Sequence, residues 1–267
     1  MKRYAVKVYY NGSNFHGFQL QKDKRTVAGE LLSALLKSRL VDDFKAASFQ
    51  AASRTDRGVS ALGQVIAFNT EKVFTLKRLN NFLPYEVYAW AWAEVNLNFN
   101  PRRDAKERTY AYISRYNGEN LKDLLTLAKI LERKVSFGWY VDAYGRVFPK
   151  KLKSIDVKVK DGILFLIFKS RSFTRSLIRR LVTLMLMGSK GELSLSSIEN
   201  FLDKDVGVKT TIPPASPENL ILIDVKYDFK FNIDEYSVRT LKDKLLQYIY
   251  KGEMFKFALE NLKTFES

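Results

Sequence analysis

Two apolar runs meet at Asp161-Gly162, and that junction limits the fold more than any other short stretch of the chain. Ile155, Val157 and Val159 alternate with polar residues before it, and an apolar run from Ile163 to Phe168 follows it. Asp-Gly between such runs predicts a two-residue β-turn, whose central residues both need positive φ. A hairpin places antiparallel neighbours in the sheet, which argues against an all-parallel arrangement.

The other elements are read from period and punctuation. Tyr4, Val6, Val8 and Tyr10 alternate over residues 3–10 and predict a strand. Asn11-Gly12-Ser13-Asn14 reads as a turn. Thr26 caps a helix bearing Val27, Leu31, Leu32, Leu35 and Leu36. A loop is expected over 51–63, a strand from Gln64 to Asn69, and a short helix after Thr75 with Leu76, Leu79, Phe82 and Leu83 inward. Strands are expected at 87–95, 109–115 and 220–227. Helices are expected at 121–133 (Leu121, Leu124, Leu125, Ala128 and Leu131 inward), at 174–187 and at 195–202. Interleaved helices and strands with a hairpin make the fold class α+β: two similar α/β halves with mainly antiparallel, mixed sheet. The boundaries fall at 1–105, 106–228 and 229–267, the last a helical, lysine-rich extension.

Composition narrows the chemistry. The 267 residues include no cysteine, which removes disulfides, thiolate metal sites and cysteine nucleophiles, and fits a reducing, cytoplasmic setting. The N-terminus runs straight into a strand pattern with no signal peptide, and no apolar stretch is long enough for a membrane helix. Lys and Arg number 45 against 29 acidic residues, a net charge of +16. That surplus suits a polyanion, most simply a phosphate backbone; a lysine-rich solvated surface is the plainer alternative. The only histidine is His16, so a serine triad has no second candidate, and it reads as a packed or loop residue. Gly-rich phosphate loops are absent and no metal-ligand cluster stands out, so no cofactor and no metal are expected. An enzyme built from this chain would work with carboxylate, tyrosine, arginine and lysine.

The segment Ser53-Arg54-Thr55-Asp56-Arg57-Gly58-Val59 carries a carboxylate flanked by two arginines. Asp56 can be a solvated turn residue, since Asp and Thr start turns and Gly ends them. It can also be a reactive group: guanidinium groups that close on a carboxylate favour its charged form, and Arg54 and Arg57 flank it. Such a carboxylate can act as nucleophile or base at a ribose carbon.

Residues 53–65 resemble the active-site segment G-R-T-D-x-G-V-H-A-x-G-Q-V of the tRNA pseudouridine synthase A family. Other family segments follow in order. Tyr10 to Gln21 is similar to Y-x-G-x-x-F-x-G-x-Q-x-Q, and Leu79 to Pro84 to L-N-x-x-L-P. Phe99 to Arg102 with Arg108 to Tyr112 is similar to F-x-A-R … R-x-Y-x-Y. Phe173 with Leu177-Ile178-Arg179 resembles F-L-x-x-M-V-R, and Pro214-Ala215 with Leu220 to Leu222 resembles the closing proline and strand. The match spans about 4–227. Ser60 stands where a His is usual and Thr174 where a Leu is common; 137–142 and the tail after 228 differ from the family text.

The resemblance implies the pseudouridine synthase fold, its halves meeting at a central basic cleft, and isomerisation of uridine in the anticodon stem-loop of tRNA (positions 38, 39 and/or 40) without a cofactor. It implies Asp56 as the catalytic carboxylate, attacking C1′ or removing a C2′ proton. It makes Tyr110 the ring that stacks on uracil, Arg179 the cation paired with Asp56, and Arg54 the residue beside the displaced base. Each has a plainer reading: a buried strand tyrosine, an exposed helix arginine, a phosphate contact. Arg102, Arg103, Lys106 and Arg108 become a phosphate-tracking surface. Family members are homodimers with tRNA crossing both subunits, so tRNA and a second copy are the expected partners. A catalytically silent tRNA-binding protein on the same scaffold is the alternative, and a different RNA enzyme is disfavoured by the missing equipment.

Overall fold

In the computed structural model, which describes residues 1–134, 151–203 and 212–262, Asp161 and Gly162 both have positive φ, 50° and 72°. The hairpin forms as expected. Residues 137–142 lie outside the described residues.

Nine strands and six α-helices alternate along the chain among the described residues: β1 Lys2–Tyr10, α1 Val27–Lys37, β2 Gln50–Ala51, β3 Ser60–Thr70, α2 Leu76–Asn80, β4 Val87–Val95, β5 Glu107–Arg115, α3 Leu121–Arg133, β6 Ser154–Lys160, β7 Ile163–Ser170, α4 Leu177–Ser189, α5 Leu195–Asp203, β8 Leu220–Lys226, β9 Asn232–Ile233 and α6 Glu235–Leu262. The strands form one sheet in the order β6-β7-β5-β8-β3-β1-β4-β9, with β2 also on β3. In each half the first strand is central: β1 lies between β3 and β4, and β5 between β7 and β8, all antiparallel. The halves join where β3 and β8 run parallel for two residue pairs, Ser60 with Ile221 and Ala61 with Leu222. The fold is α+β with a mostly antiparallel mixed sheet.

Where β3 meets β8, Gly63 must lack a side chain, because a Cβ there would stand 2.6 Å from the Ile223 carbonyl oxygen. Lys7 pairs with Asp224 across this seam and lies over the rings of Trp90 and Phe231. That accounts for a lysine in the middle of a strand buried on both faces from Arg3 to Tyr10.

Helix packing follows the apolar stripes, with shifts. On α1, capped by Thr26, the buried side chains are Val27, Ala28, Leu31, Leu32, Ala34 and Leu35. On α3, Leu124, Leu127, Ala128, Ile130 and Leu131 are buried. Leu121 and Leu125, expected inward, are exposed, as is Phe82 beyond α2. The long α6 follows Asp234, whose carboxylate accepts from Ser237 N, and packs Leu241 and Leu245 on Tyr9, Tyr88 and Trp90. Strand β3 begins at Ser60 rather than Gln64, and β2 occupies part of the segment expected as loop. Among the described residues no helix is long and apolar enough to cross a membrane.

Candidate active site

The loop carrying Asp56 is pinned on every side. Thr55 is buried and its hydroxyl pairs with the Tyr10 hydroxyl at 2.7 Å. The Gln64 side chain accepts from Ser53 N at 3.1 Å and donates to Ser53 O at 2.8 Å. Phe18 N donates to Thr55 O at 3.1 Å. Gly17, at φ 94°, lies so close that a Cβ would sit 3.1 Å from that same oxygen. Gly12 is tighter: a Cβ there would fall 2.2 Å from the Val59 carbonyl oxygen. The Ser60 hydroxyl accepts from Gly12 N at 3.0 Å.

Asp56 faces the start of α4. Its Oδ2 accepts from the Ser176 hydroxyl at 2.9 Å and from Arg179 Nη1 at 3.1 Å. Arg179 Nε donates to Ala215 O at 2.6 Å, and Ala215 N returns a bond to Arg179 O at 3.0 Å, so the guanidinium is braced. Arg175 Nε stands 3.6 Å from Oδ1. The carboxylate also sits at the positive end of α4, where negative charge is favoured.

Tyr110 on β5 is buried, its hydroxyl 2.6 Å from Ser53 Oγ and its ring edge-on to Phe173 at 5.4 Å. Burial pushes the phenol above its ordinary pKa, with the Ser53 hydrogen bond opposing, so the hydroxyl stays protonated at neutral pH. Arg108, two residues earlier, is also buried and donates to the carbonyls of Ala52, Arg102 and Arg171. One cation thus ties together three loops that border the site.

These groups line one cleft of about 1200 Å3. Arg54, Arg57, Arg102, Arg103, Arg108, Arg175 and Arg179 line it, and Asp56 is the sole carboxylate among its lining residues. Among the described residues no three His, Cys, Asp or Glu side chains are grouped to hold a metal ion.

The family profile described as tRNA pseudouridine synthase matches residues 130–228. The tRNA pseudouridine synthase A of Thermococcus sibiricus is 37% identical, over 93% of this chain and 94% of that protein. The protein of the same name from Archaeoglobus fulgidus is 34% identical over 96% of each chain, and that from Pyrococcus furiosus 33% over 92% and 91%.

The chain belongs to the tRNA pseudouridine synthase A family.

Membership in this synthase family, a family of isomerases, gives the pinned loop its context. The expected residues Asp56, Tyr110, Arg54 and Arg179 all border the cleft, and Asp56 and Arg179 are in direct contact across 123 positions of sequence. Arg179, expected against Asp56, is in contact with it and Arg175 joins it, while the flanking Arg54 and Arg57 are exposed, which corrects the idea that they close on the carboxylate. Successive side chains of the tight loop diverge, with Thr55 taking the buried direction between them. The phosphate-tracking set is corrected at one residue: Arg108 is buried on carbonyls, whereas Arg102, Arg103 and Lys106 are exposed, the last two beside Asp104 and Asp228. Sequence alone missed Ser53, Arg175 and Ser176, whose contacts depend on loop conformation. His16, read as a packed or loop residue, is half-buried and lines the cleft. Its Nδ1 is enclosed with no hydrogen-bond partner among the described residues, as is Thr174 Oγ1.

Proposed function

We propose that this chain converts uridine to pseudouridine in the anticodon stem-loop of tRNA, at positions 38, 39 and/or 40, with Asp56 as the catalytic carboxylate. The observation that carries this reading is the contact of Asp56 with Arg179 and Ser176 at a cleft whose other charged lining residues are arginines and which buried Tyr110 also borders. A lone carboxylate would repel a phosphate backbone. Held by a braced guanidinium, it stays in place while the surrounding arginines receive the RNA.

The reaction is an isomerisation. The N1–C1′ bond breaks, the uracil turns, C5 bonds to C1′, and the C5 proton is lost while N1 gains one, so no redox partner or second substrate is consumed. Asp56 either attacks C1′ or takes the C2′ proton. Tyr110 offers a ring edge-braced by Phe173, on which uracil stacks; such stacking is worth about 1–3 kcal/mol. Its hydroxyl is held neutral, so it serves as a hydrogen-bonding group and not as a phenolate base. Arg54, exposed at the cleft, fills the space left by the displaced base, whose removal from the stack costs a few kcal/mol. In this reading residues 1–105 form the unit with the Asp56 loop and 106–228 the unit supplying Tyr110 and Arg179. Residues 229–267 are an extension. The protein works in the cytoplasm as a homodimer, with tRNA crossing both subunits.

The test is pseudouridine mapping on unmodified tRNA transcripts with wild type and Asp56→Ala. Wild type modifies anticodon-stem uridines, and Asp56→Ala loses turnover while still binding tRNA. A wild type that leaves every uridine unchanged on several tRNAs points instead to a catalytically silent tRNA-binding protein, and an active Asp56→Ala removes Asp56 from its role.

A further inference from the structure

The Asp56 carboxylate is held unevenly. Oδ2 takes both short hydrogen bonds, from Ser176 at 2.9 Å and Arg179 at 3.1 Å. Oδ1 faces Arg175 at 3.6 Å, whose side chain is 87% exposed against 13% for that of Arg179. One oxygen is anchored by half-buried groups, and the other is met by a long, solvent-facing side chain.

Ser176 is an unusual anchor. It precedes the first turn of α4 with φ 55° and ψ 7°, the left-handed region that a residue with a Cβ enters only at a cost. Serine at this position ordinarily turns its hydroxyl onto the free N–H groups of the helix's first turn. Ser176 makes no such cap bond; its hydroxyl goes to Asp56. Backbone strain and a lost cap therefore coincide with one contact to one carboxylate oxygen. Strain kept at a single residue marks a position where the site, rather than the helix, sets the geometry.

We propose that Ser176 is a positioning residue for Asp56: with Arg179 it anchors Oδ2, fixes the rotation of the carboxylate, and presents Oδ1 as the oxygen that meets the ribose. This rests on the reading of Asp56 as the catalytic carboxylate. The torsion that turns a carboxylate is soft, so a single ion pair leaves its orientation loose. Ser176 and Arg179, three residues apart, come from the same face of the α4 N-terminus and reach the same oxygen. Oδ1 keeps a partner that an incoming phosphate can draw away without disturbing Oδ2.

Two variants separate positioning from a purely structural role. Ser176→Gly enters the left-handed region freely and has no donor. Ser176→Asn tolerates that region and carries an amide donor. The readouts are thermal melting, tRNA affinity and single-turnover rate on an unmodified transcript. Ser176→Gly is expected to melt at or above the wild-type temperature and to bind tRNA unchanged. It is expected to react on the order of tenfold to a hundredfold more slowly, the scale set by a slightly misplaced reacting group. Ser176→Asn is expected to recover most of the rate. A Ser176→Gly protein reacting at the wild-type rate overturns the proposal, and so does a well-folded Ser176→Asn no faster than Ser176→Gly. Asp56→Ala run alongside distinguishes the two readings. If it turns over normally, the assignment of Asp56 fails; if it is inactive while Ser176→Gly is fully active, only the role of Ser176 fails.

Discussion

Arg108 shows what one enclosed cation does for a site it need not touch chemically. Its guanidinium donates to the carbonyls of Ala52, Arg102 and Arg171, which lie just before the Asp56 loop, in the basic connector and just after β7. Burial pushes its pKa below the ordinary arginine value, but a guanidinium remains charged. Replacing it with Met leaves three inward carbonyls without that donor. The expected loss is on the order of 3 kcal/mol, read as a lower urea midpoint at unchanged slope, with pseudouridine formation falling as the loops loosen. Arg108→Lys should recover part of the stability only, since an ammonium cannot span the planar fork. A variant as stable as wild type would show that the three carbonyls find other donors. The role of Arg108 was not legible in sequence, where it reads as one more basic residue in a run. Tyr110 and Arg179 were legible, but through resemblance: a buried strand tyrosine and an exposed helix arginine fit the local pattern equally well.

At the scale of elements, two glycines carry opposite kinds of constraint. Gly162 in the β6–β7 turn has φ 72° and nothing within 4 Å of where a Cβ would stand, so its cost on substitution is backbone strain alone. Gly162→Ala should lose about 1–2 kcal/mol and leave activity intact. Gly12 has ordinary backbone angles, but a Cβ would strike the Val59 carbonyl at 2.2 Å. Gly12→Ala must therefore shift the loop that carries Asp56, and its turnover should fall by far more than its melting temperature accounts for. Paired melts and single-turnover rates check both; equal activity losses in the two variants would contradict the distinction. The turn at Gly162 was legible because Asp-Gly between apolar runs is a local signal. The need at Gly12 was not, because its neighbour lies 47 positions away in sequence. The same division runs through the helices. The apolar period found α1, α3 and α4, but tertiary contacts chose the face of α3, burying Leu127 and Ile130 and leaving Leu121 and Leu125 in solvent. Strand β3 starts four residues earlier than its apolar pattern suggests, because pairing with β1 and β8, not composition, sets where it begins.

For the whole molecule, the +16 charge was the earliest pointer to a polyanion, yet the sequence could not say which cations are available to it. The fold sorts them. Arg108 is enclosed on carbonyls, Arg179 is braced on Asp56, and Arg103 is paired with Asp104. Arg54, Arg57, Arg102 and Arg175 are exposed along the cleft, and reach it from both sides of the short β3–β8 seam. If each of these four meets one phosphate, counterion release of about 0.7–0.9 per contact gives a slope near −3 for log affinity against log salt. A rise from about 50 to about 200 mM salt should then weaken tRNA binding roughly a hundredfold. Charge reversal at Arg102, an exposed cleft residue away from the Asp56 contacts, should flatten the slope by about one or more and leave the melting temperature unchanged. Reversal at Lys2, at the start of β1, whose ammonium pairs with Glu94 of β4 and which does not line the cleft, should leave the slope unchanged. Filter-binding titrations of an unmodified tRNA transcript over that salt range measure all three. A slope near zero for the wild type, or equal slopes for the wild type and the Arg102 variant, would place the RNA on some other part of this basic surface.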